Sequence, residues 1–530
     1  MSIASKQEQN QTTAVKVIDT FQSLLVAFTF ALIFRGFVVE SFVIPTGSMA
    51  PTLLGQHWLV ESSQTGTATP VGVGDSRIDA TRLRDWQISR DHGITDQSRF
   101  RTRMGDRIIV TKTLYPFLKP DRFDVVVFKN PTIPYGESAN YIKRLVGKPG
   151  ESIWIADGDV FVQKEDEDRY HVARKPAHVQ SGVWQRVHDT HAEPVEPDKL
   201  VRSWKGSPWI GSPESAWSRE GRGGFRCDTS EPTTLDWDRA NPAPDDWTAY
   251  NMLSPVRGLY KVSDLRITAT IIPDESSLDA ALNIATRQHL FKFELNGSMA
   301  TVSMWPESDP LQVSQISGEM PPMKAGIPII MECIHVDQAM ELRVNDQLVA
   351  SLEYDWTPQQ RLEYSMVDTS QRGRGVAASA LAHRYPTPPR IWWSFEASPF
   401  SINRIAMDRD LYYRPSILQK FSRNWNEPAD EHRDKVRINR PAAATHPDSI
   451  VTLGEDQYFV LGDNSGRSLD SRLWGAPHPL VAEQLDDTPF IVPGDLMIGK
   501  AWMVYYPAPY SVTDGGSGLI PDFGRIRFIR

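Results

Sequence analysis

Three stretches far apart in the chain hold residue types that could support acyl chemistry. In Ile44–Pro45–Thr46–Gly47–Ser48–Met49–Ala50–Pro51–Thr52–Leu53, a serine lies between Gly47 and Met49 with a proline three residues to either side. That context predicts a constrained turn, where most serines only satisfy turn hydrogen bonds. In Tyr141–Ile142–Lys143–Arg144–Leu145–Val146–Gly147, strand alternation puts Tyr141, Lys143 and Leu145 on one face and Ile142, Arg144 and Val146 on the other. A lysine flanked by apolar bulk loses hydration, which disfavours its charged form and suits it to act as a base at neutral pH. The competing reading is an edge lysine reaching solvent. The third stretch, Gly462–Asp463–Asn464–Ser465–Gly466–Arg467–Ser468–Leu469–Asp470–Ser471–Arg472–Leu473–Trp474–Gly475, is dense in acidic, basic and hydroxyl groups. It reads either as a loop cross-linked by ion pairs beside a site or as a solvated turn.

Other candidates carry less. His188–Asp189–Thr190–His191 spaces two histidines three apart with no third ligand nearby, so a loop is expected there and no metal site. Asn464–Ser465–Gly466 has the look of a trypsin-type serine but lacks the settings for its histidine and aspartate partners. Cys227 and Cys333 have no metal-ligand spacing; they could form a disulfide in an oxidising compartment or stay as buried thiols. A net charge of −9 speaks against nucleic-acid binding, which needs a basic face. No cofactor motif occurs.

The elements that must position these residues begin with an apolar segment from Val17 to Val39, long enough for a membrane span, with Asp19 and Arg35 near its ends. No small-x-small cleavage site follows Phe34, so an uncleaved anchor is expected. Lys6 and Lys16 precede it, which puts the polar residues 1–16, expected to be disordered, in the cytoplasm. Ser41–Pro45 reads as extended, because Pro45 turns Ile44 away from helix. Residues 57–103 are polar with little periodicity and read as a loop insertion. Strands are expected at Arg107–Lys112, Asp124–Lys129 and Tyr141–Val146, and again at Gln457–Leu461 and Gly499–Tyr506.

Between about 165 and 440 the character changes, with frequent Trp, Pro and Arg and short alternating segments. Leu265, Ile267, Ala269 and Ile271 share a face, as do Phe291, Phe293 and Leu295, and Asn345–Asp346 marks a hairpin turn. These features predict an antiparallel β-sandwich inserted into a β domain that runs over 40–164 and resumes at 441–530. The fold expected is mainly β.

Together the three stretches, in this order, resemble bacterial type I signal peptidases. Phe34–Glu40 running into Ile44–Met49 is similar to that family's membrane exit and nucleophile box. Arg122–Phe128 is similar to its next strand, Tyr141–Gly147 to its lysine box and Gly462–Gly475 to its closing box. The resemblance implies Ser48 as nucleophile, Lys143 as general base, Ser468 as a group that orients the lysine, and Thr46 with the Ser48 N–H as the oxyanion site. It also implies that Asp463, Arg144, Asp470 and Arg472 brace the site, and that Phe42, Ile44 and Ile142 line shallow pockets for small side chains. The substrates implied are signal peptides of exported preproteins, cut after small-x-small sequences by a single-pass enzyme of the bacterial cytoplasmic membrane. An organellar membrane remains open. Thirteen residues separate Arg35 from Ser48, which keeps the serine near the bilayer surface.

The chain departs from that family twice. The 57–103 tract splits a normally continuous region, so that 95 residues separate Ser48 from Lys143, and the middle insertion is unusually large. The insertion is similar to laminin-G or concanavalin-like sandwiches at fold level, which names no ligand. Two other readings stand beside the peptidase: a membrane-tethered binding or scaffold protein on an inactive frame, and a processing protease of narrow specificity with clients chosen by the insertion.

Overall fold

The computed structural model describes residues 4–33, 36, 38–73, 83–89, 99–112, 119–136, 139–200, 204–253, 258–366, 378–419, 426–511 and 519–530. Phe34, Arg35 and Phe37 of the expected membrane exit lie outside them.

Helix α1 covers Ala4–Ile33. Its stretch Val15–Leu32 is long and apolar enough to cross a membrane, and no part of it is covered by protein. Two expectations change here. Residues from Ala4 onward are helical rather than disordered, since Ala4–Lys16 contains no Gly or Pro and several good helix formers. The apolar segment also does not run to Val39 as one helix, since Val39 already pairs with Thr111 in a sheet, where β-branched and aromatic residues such as Val39, Phe42 and Val43 suit the extended backbone.

Strands β1 (Val39–Val43), β2 (Arg107–Thr111), β3 (Val125–Lys129), β4 (Asn140–Gly147), β5 (Gln457–Leu461) and β6 (Met497–Tyr506) form one antiparallel sheet in the order β1-β2-β6-β3-β4-β5. The order brings chain ends together: β5, more than three hundred residues after β4, pairs with it through Phe459–Gly147 and Leu461–Arg144. Residues Ile108, Val110, Val125, Val127 and Val504 of this sheet pack on Ile44, Met49 and Leu53 of the stretch after β1. A smaller sheet of His171–Val172, Asp159–Lys164, Glu151–Ala156 and Val451–Thr452 lies beside it.

The middle of the chain forms the sandwich the alternation predicts. One sheet holds Leu265–Pro273, Ile329–Val336 and Phe400–Arg409 at its centre; the other holds Asp279–Thr286, His289–Asn296 and Arg390–Glu396. Their inward residues, among them Ile267, Leu282, Phe293, Met331 and Trp393, make one buried core. Asn345 and Asp346 both take positive φ, 49° and 66°, as the two-residue hairpin requires. Cys227 and Cys333 are free thiols in this core, so the open question of a disulfide closes on the buried-thiol side.

Not everything in 165–440 belongs to the sandwich core. Val179, Val183, Leu411, Leu418 and Val436 pack instead with Ile153 of the smaller sheet and with Phe459 and Leu461 of β5. A buried ionic network then locks the parts together: Arg361 bonds Asp157 (2.9 Å), Asp159 (2.7 Å) and Asp264 (2.8 Å), and Arg287 bonds Asp157 and Asp264.

The 57–103 tract differs from expectation. Its described residues include an antiparallel sheet of Ala68–Gly72, His57–Glu61 and Arg99–Arg103. Val60 and Val71 face a small cluster with Leu83. On the opposite face the buried residues His57 and Arg103 are polar, which keeps the apolar period faint.

Candidate active site

Ser48 sits in the turn that follows β1. Ile44 N–H donates to Asp106 C=O (2.9 Å), Ala50 N–H to Gly47 C=O (3.1 Å) and Leu53 N–H to Met49 C=O (2.9 Å). Met49, Ala50 and Leu53 plug into the interior, which leaves Ser48 half-buried at the apex. Among the described residues, neither the Ser48 N–H nor the Thr46 hydroxyl is hydrogen-bonded within the protein.

Lys143, on β4 opposite Val126, reaches the same point. Its Nζ lies 2.9 Å from Ser48 Oγ and 2.8 Å from the Ile142 carbonyl, with the Tyr141 ring centred 5.4 Å away. The side chain is buried. Burial lowers its pKa from the ordinary lysine value to about 8, against an opposing pull from the Asp470 and Asp463 carboxylates. Neither carboxylate pairs with it. Asp463 takes a two-pronged bond from Arg144, Nε at 2.8 Å and Nη2 at 2.7 Å, and a hydrogen bond from Thr52 Oγ1. Asp470 takes Arg472 Nε at 2.9 Å and Nη2 at 2.8 Å, and the Gly462 N–H at 3.0 Å. Burial would raise the Asp470 pKa, but Arg472 outweighs it and holds the carboxyl below the usual range. For Arg144 burial pulls downward, and Asp463 more than restores it, raising its pKa.

The closing loop lies against the nucleophile turn. Asn464 N–H donates to Ser48 C=O (3.1 Å), and Asn464 Nδ2 donates to Gly47 C=O (2.8 Å). A Cβ on Gly462 would collide with Ser468 and with the Ser48 carbonyl, so only glycine lets the loop come this close. Ser468 is brought to the site but makes no hydrogen bond to Lys143; its buried hydroxyl lies toward Asp470 and helps hold that carboxyl below the usual range. The lysine amine is already engaged by Ser48 and Ile142. Phe42, Ile44 and Ile142 meet in one apolar cluster with Met49. They do not line the cleft beside Ser48, a space of about 720 Å³ bounded by Thr46, Ser48, Tyr250, Asn464, Ser468 and others.

Residues from the insertion that sequence reasoning did not single out, Tyr250, Asn251, Tyr260 and Tyr385, form a wall of this cleft. They lie in irregular segments without a motif, so no pattern marked them. Asn464 stood inside the closing stretch, yet its neighbours Asp463 and Asp470 carried the attention because they are charged.

His188 is in a strand (Gln185–Asp189) rather than a loop, buried, and its pKa falls to about 4 because burial excludes the charged ring. The carboxylates of Asp159, Asp337 and Asp410 are close enough to share a cation, and the ammonium of Lys175 already bonds Asp337 (2.6 Å) and Asp410 (2.8 Å).

The family model described as "Signal peptidase, peptidase S26" matches residues 17–76, 93–202 and 403–506, together a little over half of the chain. The gap between 202 and 403 contains most of the sandwich. Signal peptidase I of Rickettsia bellii (strain OSU 85-389) is 25% identical over 215 residues, 40% of this chain and 59% of the relative. Signal peptidase I of Buchnera aphidicola subsp. Acyrthosiphon pisum is 31% identical over 149 residues, covering 28% and 33%. The chain thus spans about three fifths or less of these relatives. Among solved structures, a laminarinase catalytic domain from Thermotoga maritima covers 43% of this chain and 99% of its own, at 10% identity and a TM-score of 0.26. That likeness is too slight to bear on fold or function.

Proposed function

Since the chain belongs to the signal peptidase, peptidase S26, family, we propose that it is a membrane-bound serine endopeptidase that removes signal peptides from exported preproteins. The observation that carries the reading is a buried lysine amine 2.9 Å from a serine hydroxyl, with no carboxylate paired to it. In the neutral amine, one N–H bonds the Ile142 carbonyl and the lone pair accepts the Ser48 proton. Ser48 Oγ then attacks the scissile carbonyl. The oxyanion that forms takes the free Ser48 N–H and the Thr46 hydroxyl. The Lys143 ammonium gives its proton to the leaving amine, and water, activated by the same amine, releases the acyl group and restores the serine. Ser468, whose buried hydroxyl lies toward Asp470, is the group to accept a bond from the ammonium while it exists. The ion pairs of Arg144 with Asp463 and of Arg472 with Asp470 hold the closing loop.

Lys6 and Lys16 ahead of the apolar stretch of α1 support a cytoplasmic N-terminus, with the β domains on the outer side of a bacterial cytoplasmic membrane, within reach of emerging leader peptides. The catalytic domain is 40–164 with 441–530, and the sandwich is an insertion between them.

The test is cleavage of a preprotein by detergent-solubilised wild type, Ser48→Ala and Lys143→Ala across a pH series. Cleavage after a small-x-small site is expected from wild type alone, and kcat/KM should rise as pH rises through about 8, where Lys143 loses its proton. An active Lys143→Ala enzyme, or an inert wild type, would sink the assignment.

A further inference from the structure

The two departures from the family pattern, the 57–103 tract and the insertion, meet at one place, the turn that carries Ser48. The insertion supplies a short turn, Ala249–Asn251, followed by Met252 and Leu253. Tyr250 packs with Ala50 and Leu54 and is buried. It lies so close over Gly47 that a Cβ there would strike its ring. Met252 and Leu253 pack against Val60, Val71 and Leu83 of the 57–103 tract. The turn is thus wedged between the nucleophile and a sheet that exists only in that tract.

Asn251 completes the contact. Its Nδ2 donates to Asn464 Oδ1 at 2.7 Å, and Asn464 Nδ2 donates back to Asn251 Oδ1 at 2.9 Å. A two-way amide pair fixes the Asn464 side chain in one orientation. The remaining Nδ2 hydrogen of Asn464 is then aimed at the Gly47 carbonyl, 2.8 Å away. That carbonyl and the Ser48 N–H belong to one rigid peptide plane. Fixing the first therefore fixes the direction of the second, and a hydrogen bond to the carbonyl polarises the plane and strengthens its N–H as a donor.

We propose that Asn251, held by Tyr250 and its neighbours, is a positioning residue of the inserted segment: through Asn464 it aligns the Gly47–Ser48 peptide so that its N–H meets the oxyanion. The proposal rests on the peptidase reading and adds to it a direct part for the insertion in the chemical step. Asn251 touches no reacting atom. Its effect should fall on the transition state, where the oxyanion exists, and not on ground-state binding.

The experiment compares full-length, detergent-solubilised wild type, Asn251→Ala, Asn251→Asp, Asn464→Ala and the Asn251→Ala/Asn464→Ala double variant on a preprotein. It also measures inhibition by a substrate-derived peptide aldehyde, which forms a reversible tetrahedral adduct with the serine hydroxyl. Asn251→Ala should lower kcat about tenfold, leave KM within twofold, and weaken aldehyde inhibition by the same factor. The pH midpoint of activity should not move, because Lys143 is untouched. Asn251→Asp keeps the shape and one acceptor but gives no donor to Asn464 Oδ1; it should lose about threefold in kcat with an unchanged melting temperature, which guards against a mere folding defect. The double variant should be no slower than Asn464→Ala alone, since both act through one amide. Wild-type kcat in both Asn251 variants, a loss confined to KM, or additive losses in the double variant would each overturn the proposal. A wild type that does not cleave at all would defeat the peptidase reading, and this inference with it.

Discussion

The two faces of β4 bury two cations side by side and treat them in opposite ways. Arg144 is fully buried and meets a carboxylate on both prongs of its guanidinium, with the Phe123 carbonyl (2.8 Å) and the Arg530 carbonyl (3.1 Å) on Nη1. Its charge is stabilised, and it serves as a strut. Lys143, one residue earlier, hydrogen-bonds neutral groups only, and burial brings its pKa down to about 8 despite the pull of Asp470 and Asp463. Burial is common to both, so burial alone does not decide what a cation does. The partner set does: a matched carboxylate makes a structural pair, and a hydroxyl with a carbonyl makes a base.

Exchanging the chemistry of the first face is the largest way to break this contrast. Lys143→Arg installs a group that does not deprotonate in proteins, so cleavage of a preprotein should fall by about 10⁴-fold at every pH up to 10. Residual activity with a pH midpoint near 8 would mean that another group is the base. On the other face, Asp463→Ala leaves Arg144 buried and unpaired, and chemical denaturation should report a loss of about 3–5 kcal/mol. Arg144→Lys keeps the charge but not the fork, and its loss should be smaller, about 2 kcal/mol.

The smallest effect has the opposite sign. Lys143 titrates lower when folded than when unfolded, so between about pH 8 and the ordinary lysine value the unfolded chain holds the extra proton and wild-type stability rises with pH. Below about 8 the full penalty remains. Lys143→Met should therefore be more stable than wild type at pH 7, by roughly 1–3 kcal/mol, with the gain shrinking as pH climbs from about 8 and gone above the ordinary lysine value. Equal melting curves at pH 7 would show that the buried amine carries no penalty. Arg144→Met should gain nothing of this kind, because it strands Asp463.

Sequence patterns foretold the sandwich because its strands alternate cleanly: Leu265, Ile267, Ala269 and Ile271 all turn inward, and Asn345–Asp346 turns the hairpin. Ser48 and Lys143 were marked only weakly by their neighbours, a proline-bracketed turn and an apolar strand face; the family resemblance singled them out, and they do come together. The sheet in 57–103 was not, since strands such as Arg99–Arg103 carry mostly polar residues. Nor was the start of α1, where helix propensity without amphipathic pattern left little to read. Ser468 was assigned to the lysine; it reaches the site but makes no hydrogen bond to the amine, whose bonds go to Ser48 and Ile142. Asn251 and Tyr250 went unseen for a different reason: their role depends on a contact with residues some two hundred positions away, and nothing local to 249–251 encodes that.

The contacts that finish the nucleophile turn also set a clock. Asn464 reaches Gly47 across 417 residues, and at about 5–20 residues per second that interval of synthesis takes roughly 20–80 s. During all of it the serine exists without the loop that orients its peptide and braces its lysine. The nucleophile turn is thus completed only when almost the whole chain has emerged, a delay that comes from chain order alone.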